Sequence, residues 1–187
     1  MNILNINFII VLLGLFSNGD VDIAAYNYIE EHKELAVIEM YRSGIPASIT
    51  MAQALHESNF GKSDLATKAN NHFGIKCKSY WKGTTYQHKD DDYINGKLIK
   101  SCFRSYSSVF DSYIDHSNFL KGTSHYQNLF ELSKTDYKSW AIGLQKSGYA
   151  TDPKYSEKLI KFIEKYGLDK LDYEEDPYQA LTRKLQR

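Results

Sequence analysis

Glu57 is the residue whose type and position best suit acid catalysis. It lies in the stretch Ala-Gln-Ala-Leu-His-Glu-Ser-Asn-Phe-Gly (52–61), in the last turn of a predicted helix. Unpaired carbonyl groups make that turn electrically negative, and the neighbour Phe60 is apolar, so both disfavour a charged carboxylate. A glutamic acid that keeps its proton near neutral pH can protonate a glycosidic oxygen. The sequence alone also allows a solvent-facing glutamate, which is the commoner case.

The pair His56-Glu57 also occurs in zinc peptidases, but the rest of that motif is missing. A zinc peptidase helix has a second histidine one turn after the first, and position 60 is Phe. The six histidines show no recognisable metal-binding spacing. We therefore expect neither a metal ion nor an organic cofactor.

A second acidic feature, Asp90-Asp91-Asp92, precedes the dipeptide Asn95-Gly96. Asn-Gly favours a type I′ hairpin turn, so the three carboxylates belong to the strand that enters the turn. On a regular strand Asp90 and Asp92 share one face. If that face looks into a cleft beside Glu57, Asp92 can position water or stabilise an oxocarbenium-like state. The alternative is a solvated turn.

Five further residues are candidates for the site. Tyr149, in the turn Gly-Tyr-Ala-Thr-Asp-Pro (148–153), is a candidate to face a substrate, although a core tyrosine is the commoner case. The stretch 70–76 supplies amides that either hydrogen-bond N-acetyl groups or cap and turn the chain. We assign candidate substrate-binding roles to Asn71, Phe73, Phe60 and Trp81.

Helical spacing dominates the chain, with one small β-lobe between the helices. Apolar residues recurring every three to four positions, with helix-starting and helix-stopping residues, predict five helices: Ile23 to Ser43, Pro46 to about Ser58, one from Phe110, one capped by Asp136, and one from Asp152-Pro153 to Gly167. Two extended segments, His88 to Ile94 and Lys97 to Phe103, flank the Asn-Gly turn. The prediction is a mainly helical α+β fold with a β-hairpin.

The N-terminal segment and the two cysteines indicate export. Phe8 to Phe16 is an apolar run of suitable length for a signal peptide and too short for a stable membrane anchor. A cut after Gly19 would give a signal peptide at 1–19, a domain at 20–171 and a charged tail at 172–187; a buried first helix or an uncleaved anchor is the alternative. In an oxidising space, Cys77 and Cys102 are expected to form a disulfide.

Charge excludes one class of partner. Lys plus Arg and Asp plus Glu both number 23, so the formal net charge is zero. A nucleic-acid-binding protein normally carries a basic excess, so we expect no nucleic-acid partner. We expect an exported monomer, periplasmic or extracellular, without a stable membrane span after signal cleavage.

Seven short blocks then identify a family. They are Gly-Ile-Pro-Ala-Ser (44–48), Ala-Gln-Ala-Leu-His-Glu-Ser-Asn-Phe-Gly-Lys-Ser (52–63), Asn-His-Phe-Gly-Ile-Lys (71–76), Asp-Tyr-Ile-Asn-Gly (92–96), Phe-Arg-Ser-Tyr-Ser-Ser (103–108), Asp-His (115–116) and Gly-Tyr-Ala-Thr-Asp-Pro (148–153). In this order they resemble the peptidoglycan glucosaminidases of glycoside hydrolase family 73, which include the wall-cutting domain of flagellar rod proteins. The resemblance covers roughly Tyr26 to Leu168.

The resemblance implies a lysozyme-like fold whose cleft lies between a helical lobe and the hairpin. Glu57 matches the family's catalytic glutamate, and Tyr149 matches a tyrosine near that acid. Asp92 falls where many members have a second acidic residue, usually glutamate, which is one methylene longer. Phe60 stands where many members have tryptophan.

The resulting prediction is an endo-β-N-acetylglucosaminidase that cuts the glycan strands of peptidoglycan. Glu57 donates the proton, Asp92 orients water or stabilises positive charge, and Tyr149 supports the sugar or the water. Three alternatives stay open: a muramidase or lytic transglycosylase on the same scaffold, a wall-peptide cysteine peptidase that uses Cys77 or Cys102, and a non-catalytic glycan-binding module.

Overall fold

The computed structural model describes residues 23–94 and 97–186, without the side chains of residues 90–99. The helices and strands are α1 (Ile23–Ser43), α2 (Ala47–Glu57), α3 (Asp64–Ala69), β1 (Thr85–Ile94), β2 (Lys97–Arg104), α4 (Val109–Gly122), α5 (Tyr137–Lys146), α6 (Tyr155–Tyr166) and α7 (Pro177–Leu185). Two 3₁₀ helices, Ser124–Glu131 and Leu168–Tyr173, follow α4 and α6. The predicted mainly helical α+β class with one hairpin is confirmed.

Helix α2 lies at the centre of the fold. All its residues from Ala47 to Leu55 are buried, and its small alanines allow close packing. Helices α1, α5 and α6 and the 3₁₀ helix Leu168–Tyr173 contact it. Each fully buried large apolar side chain contributes about 1.5–3 kcal/mol, so the surrounding helices hold α2 firmly. The residue that ends α2 therefore has a well-defined position.

The N-terminal end of α2 is held by Asp172. Its Oδ1 accepts a hydrogen bond from the backbone N–H of Ser48 at 2.8 Å, and its Oδ2 accepts one from Ser48 Oγ at 2.6 Å. A carboxylate suits this place because the first N–H groups of a helix lack partners within the helix. Asp172 opens the segment that the sequence analysis assigned to the tail, yet it is buried. None of the residues of α7, further along the same segment, is buried.

The C-terminal end of α2 is a tight left-handed turn. Asn59, Phe60 and Gly61 all have positive φ angles, of 51°, 58° and 77°. A side chain on Gly61 would place its Cβ only 2.8 Å from the ring of Tyr28, so only glycine fits here. The turn ends the helix directly after Glu57, close to the predicted end at Ser58.

Helix α6 begins two residues later than the sequence analysis predicted. Asp152 was expected to cap it with Pro153 at its first position, but the helix starts at Tyr155. Asp152 Oδ1 instead accepts a hydrogen bond from Lys154 N, which closes a turn before the helix. Gly167, in the left-handed conformation, ends the helix as predicted.

The hairpin is attached to the helical lobe by the segment that precedes it. Strands β1 and β2 pair antiparallel, extending the predicted segments by a few residues. Cys77 N donates a hydrogen bond to Cys102 O, and the two side chains form a disulfide, as predicted. Both links join β2 to the segment between α3 and β1.

Two predicted features lie outside the described residues: the signal peptide at 1–19 and the turn Asn95-Gly96. Among residues 23–94 and 97–186, no helix is both long and apolar enough to cross a membrane.

Candidate active site

The carboxyl group of Glu57 receives a hydrogen bond from a buried tyrosine. Tyr155 Oη donates to Glu57 Oε1 at 3.0 Å and accepts from Gln53 Nε2, also at 3.0 Å. Gln53 and Glu57 lie four residues apart on α2, and Tyr155 is the first residue of α6. The packing of α6 on α2 therefore sets the position of the carboxyl group.

Burial raises the pKa of Glu57 from 4.5 to about 7. Two opposing effects are smaller: the hydrogen bond from Tyr155 and the positive charge of Lys158 both lower the pKa. Lys158 is itself paired with Asp152, with 2.5 Å between Nζ and Oδ2. Removal from water therefore dominates, and much of Glu57 keeps its proton near neutral pH.

The side chain of Glu57 lines a cavity of about 290 Å³, beside the segment that leads into the hairpin. The structure brings three predicted site residues together in its lining, namely Glu57, Phe73 and Tyr149. The remaining lining residues come from the segment before the hairpin, from α4, from the 3₁₀ helix that follows α4 and from the turn that follows α5: Gly74, Ile75, Lys76, Lys78, Phe119, Tyr126 and Ala150. A protonated acid at the edge of a partly apolar cavity can donate a proton to a bound ligand.

Tyr149 stacks on the tyrosine that contacts the acid. The rings of Tyr149 and Tyr155 are 5.5 Å apart between centroids, with 22° between their planes. Burial raises the pKa of the Tyr149 phenol well above its usual value, and the nearby charge of Glu57 raises it further. Tyr149 therefore keeps its O–H and can both donate and accept hydrogen bonds.

Phe73 is held by a histidine to which the sequence analysis assigned no role. The rings of Phe73 and His116 stack at 3.9 Å with 13° between their planes, and His116 is fully buried. Burial lowers the pKa of His116 to about 3, so its ring is neutral. His116 forms part of the Asp-His block, but nothing in the sequence pairs it with Phe73. It supports the cavity wall from behind.

The other three candidate binding residues lie outside this cavity. Asn71 is buried and hydrogen-bonds Ile75 and the carbonyl of Arg104, which fixes the segment leading to the hairpin. Phe60 packs edge-on against Phe162 of α6. Trp81 lies 4.7 Å from the guanidinium carbon of Arg104 and donates its indole N–H to the carbonyl of Thr84.

Asp92 lies in β1, at an irregular part of the ladder. Lys89 pairs with Lys100 and Tyr93 pairs with Leu98, so three residues of β1 face one residue of β2. The regular alternation assumed for Asp90 and Asp92 is interrupted by this bulge. The side chain of Asp92 is outside the described part of the chain, and its role stays a prediction.

The disulfide removes the cysteine peptidase alternative. Cys77 and Cys102 are bonded to each other, and these are the two cysteines of the chain. A thiolate is the nucleophile of a cysteine peptidase, so an oxidised pair cannot serve. Among the side chains that the structure describes, which exclude those of residues 90–99, no group of three or more His, Cys, Asp or Glu is arranged to hold a metal ion.

An acid at the end of a central helix, beside a cavity next to a β-hairpin, is the arrangement of lysozyme-like glycoside hydrolases. The comparisons with known proteins agree. Residues 33–168 match the glucosaminidase family model, described as mannosyl-glycoprotein endo-beta-N-acetylglucosaminidase. The chain therefore belongs to this family, and the resemblance to glycoside hydrolase family 73 is confirmed.

The similarity to known relatives and solved structures extends over most of the chain. Over 130 residues, 67% of this chain, it is 45% identical to the exo-glucosaminidase LytG of Bacillus subtilis. The catalytic domain of the autolysin Auto from Listeria monocytogenes is 26% identical, with a TM-score of 0.72 over 92% of this chain and 100% of that one. The glycoside hydrolase domain of Salmonella typhimurium FlgJ is also 26% identical, with a TM-score of 0.62 over 87% and 92% of the two chains. The match spans 45% of the length of LytG.

Proposed function

We propose that this chain hydrolyses the glycan strands of bacterial peptidoglycan at the bond that follows N-acetylglucosamine. The observation that carries the proposal is the environment of Glu57: a pKa of about 7, a hydrogen bond from Tyr155 and an adjacent cavity. The names of the relatives support the substrate. LytG is a glucosaminidase, and FlgJ of Pseudomonas aeruginosa is a peptidoglycan hydrolase.

In this proposal Glu57 protonates the glycosidic oxygen as the bond between that oxygen and the anomeric carbon breaks. The leaving sugar departs with the proton of Glu57 on its new hydroxyl group, and positive charge develops on the ring that stays behind. Tyr155 then stabilises the carboxylate by donating its O–H at 3.0 Å. Tyr149 supports the sugar or the water from the wall of the same cavity.

We assign Asp92 the second acidic role, orienting water or stabilising the positive charge. Its place in β1 supports this assignment, because the disulfide joins this strand pair to the segment whose residues Lys76 and Lys78 line the cavity. Asp92→Asn should lose most of the activity. The anomeric form of the first product, measured by NMR, distinguishes direct attack by water from a covalent or acetamido-assisted route. Wild-type turnover by Asp92→Asn would make the acidic run a solvated turn.

The position of the cut tests the proposal against a muramidase or a lytic transglycosylase. Purified peptidoglycan is digested, and the released fragments are reduced and analysed by mass spectrometry. N-acetylglucosamine at the new reducing ends supports the proposal. N-acetylmuramic acid or its anhydro form there would instead assign the chain to one of those alternatives.

The size of the fragments decides between internal and terminal cutting. We propose endo-cleavage, which shortens long strands early in the reaction. LytG is named an exo-enzyme, and terminal cutting would release small products from the start. A time course of product length on the same digest distinguishes the two.

We also propose that the chain acts outside the cytoplasmic membrane, since its proposed substrate lies there. The Cys77–Cys102 disulfide supports an oxidising compartment. Fractionation of cells that express the full sequence should recover the protein outside the cytoplasm. Recovery of active protein only from the cytoplasm, with both thiols reduced, would overturn this location.

A further inference from the structure

A second groove, of about 360 Å³, runs along α6 and shares no lining residue with the cavity at Glu57. Its apolar part consists of three aromatic rings: Phe60, Phe162 and Tyr166. Phe162 and Tyr166 stack with 14° between their planes, and Phe60 packs edge-on against Phe162 at 5.9 Å. Flat aromatic faces of this kind accept the apolar side of a sugar ring or a small alkyl group.

The rim of this groove is basic. His56 and three lysines of α6, Lys158, Lys161 and Lys165, complete the lining, and no acidic side chain among the described residues takes part in it. The three lysines are spaced three and four residues apart, so they lie on one face of the helix. From the first to the last they extend along about 10 Å of helix axis. We refer to this site as the lysine groove.

Contacts within the chain balance the lysine row only in part, and Lys165 Nζ lies 4.9 Å from the centroid of the Tyr166 ring. Like charges three or four residues apart on a helix destabilise it slightly. Lys158 is paired with Asp152, but Lys161 forms no ion pair with any residue that the structure describes, although Glu157 lies four positions before it. Since the whole chain has no net charge, this positive row is a local feature and not a consequence of composition.

The groove is close to the reacting position. His56 directly precedes Glu57 in the chain, and the charge of Lys158 acts on both His56 and Glu57. The groove therefore lies beside the end of α2 that carries Glu57. The chemistry that complements an aromatic floor with a lysine rim is an anionic group carried on a partly apolar body.

We propose that the lysine groove binds the carboxylate-bearing stem peptides of the peptidoglycan strand while a neighbouring sugar occupies the cavity at Glu57. The carboxylates pair with the lysines, and the alanine methyl groups of the peptide lie on the aromatic floor. This inference rests on the proposed function, because it deepens the substrate from a glycan to a peptide-bearing glycan. It predicts that naked glycan binds this chain less tightly than peptide-bearing glycan.

The test is a binding measurement in a Glu57→Gln background, where turnover cannot destroy the ligand. The variant Lys161→Gln/Lys165→Gln removes two rim charges and leaves the residues around Glu57 intact. A matched control, Lys121→Gln/Lys146→Gln, removes two charges from exposed positions outside the groove. Each protein is sedimented with three ligands. The first is peptidoglycan freed of phosphate polymers, and the second is the same material with its stem peptides removed enzymatically. The third is cell wall that retains its phosphate polymers.

The groove variant should bind peptide-bearing peptidoglycan about three- to tenfold more weakly than the control does. Its binding to peptide-free strands should equal that of the control, and added salt should reduce the difference between the two variants. Equal weakening on peptide-free strands, weakening confined to wall with phosphate polymers, or no difference from the control would each overturn the proposal. Hydrolysis is measured separately, as reducing ends released by the chain with Glu57 intact. If no reducing ends were released, the proposed reaction would be wrong, but the binding comparison would be unaffected.

Discussion

Replacing Glu57 with glutamine should abolish hydrolysis and at the same time stabilise the folded chain at alkaline pH. Glutamine has nearly the same shape and accepts the hydrogen bond from Tyr155 through its amide oxygen. It cannot donate a proton as an acid, so clearing of purified peptidoglycan should be lost. It also carries no charge, so it avoids the unfavourable ionisation of a buried carboxyl group.

The size of the stabilisation follows from the pKa. A rise from 4.5 to about 7 corresponds to on the order of 3 kcal/mol between the two protonation states. Because the folded-state pKa lies above the unfolded value, the folded chain binds the extra proton between these pH values. The wild-type protein therefore loses stability as the pH rises from about 4.5 through about 7. The Glu57→Gln variant has no such loss. Its free energy of unfolding should therefore exceed that of the wild type only slightly at pH 4, and by about 2–3 kcal/mol above pH 8.

The assay is urea unfolding of both proteins, followed by tryptophan fluorescence, at a series of pH values. Glu131→Gln, at an exposed position, serves as the matched control and should show no comparable growth with pH. If the stability difference between Glu57→Gln and the wild type does not change with pH, Glu57 is not removed from water. The physical basis of the acid assignment would then be wrong, even if activity were lost.

Four further predictions follow from the same contacts. The wild-type kcat/KM should fall about tenfold per pH unit above a pKa of about 7, measured as initial clearing rates, because the proton of Glu57 is lost there; a flat profile to pH 9 would contradict the assignment. Tyr155→Phe should raise the Glu57 pKa and move this alkaline limb upward by about one pH unit, because the hydrogen bond from Tyr155 lowers that pKa; an unmoved or lowered limb would contradict this. Asp172→Ala should destabilise the fold by about 1–2 kcal/mol in urea, since two hydrogen bonds to the start of α2 are lost, whereas Asp172→Asn should lose less. The Cys77→Ala/Cys102→Ala variant should lose about 3–4 kcal/mol of stability yet keep its activity at low temperature, and complete loss of activity in a folded variant would reopen a direct role for sulfur.

Local sequence signals were enough to predict the elements that carry the site. The end of α1 at Ser43 follows from the stop at Gly44, and the apolar spacing before it predicts the helix. Asn95-Gly96 predicted the hairpin because few other dipeptides accept positive φ at both positions. The end of α2 near Ser58 followed from the Phe60-Gly61 turn. Each of these signals acts within a few residues, which is the range over which sequence patterns are most informative.

The contacts that act on Glu57 could not be predicted in this way. Tyr155 is 98 positions away from Glu57, within the helix predicted from Asp152-Pro153 to Gly167, and the sequence analysis assigned it no role. Asp172 is 124 positions from Ser48 and was assigned to the tail. Nothing local distinguishes a tyrosine that packs in the core from one whose hydroxyl group reaches an acid. These pairs depend on how α6 and the C-terminal segment pack on α2, which is a tertiary property.

The pKa of Glu57 shows which physical effect keeps this residue protonated. Three influences act on its pKa, and two of them, the hydrogen bond from Tyr155 and the charge of Lys158, favour the carboxylate. Burial opposes both and is larger, so the position of the carboxyl group decides its protonation more than its partners do. That position is fixed because α2 is surrounded by other helices and ends in a turn that only Gly61 can complete. The acid is therefore a consequence of packing around the helix, and substitutions that loosen this packing should lower the pKa of Glu57 even where they touch none of its partners.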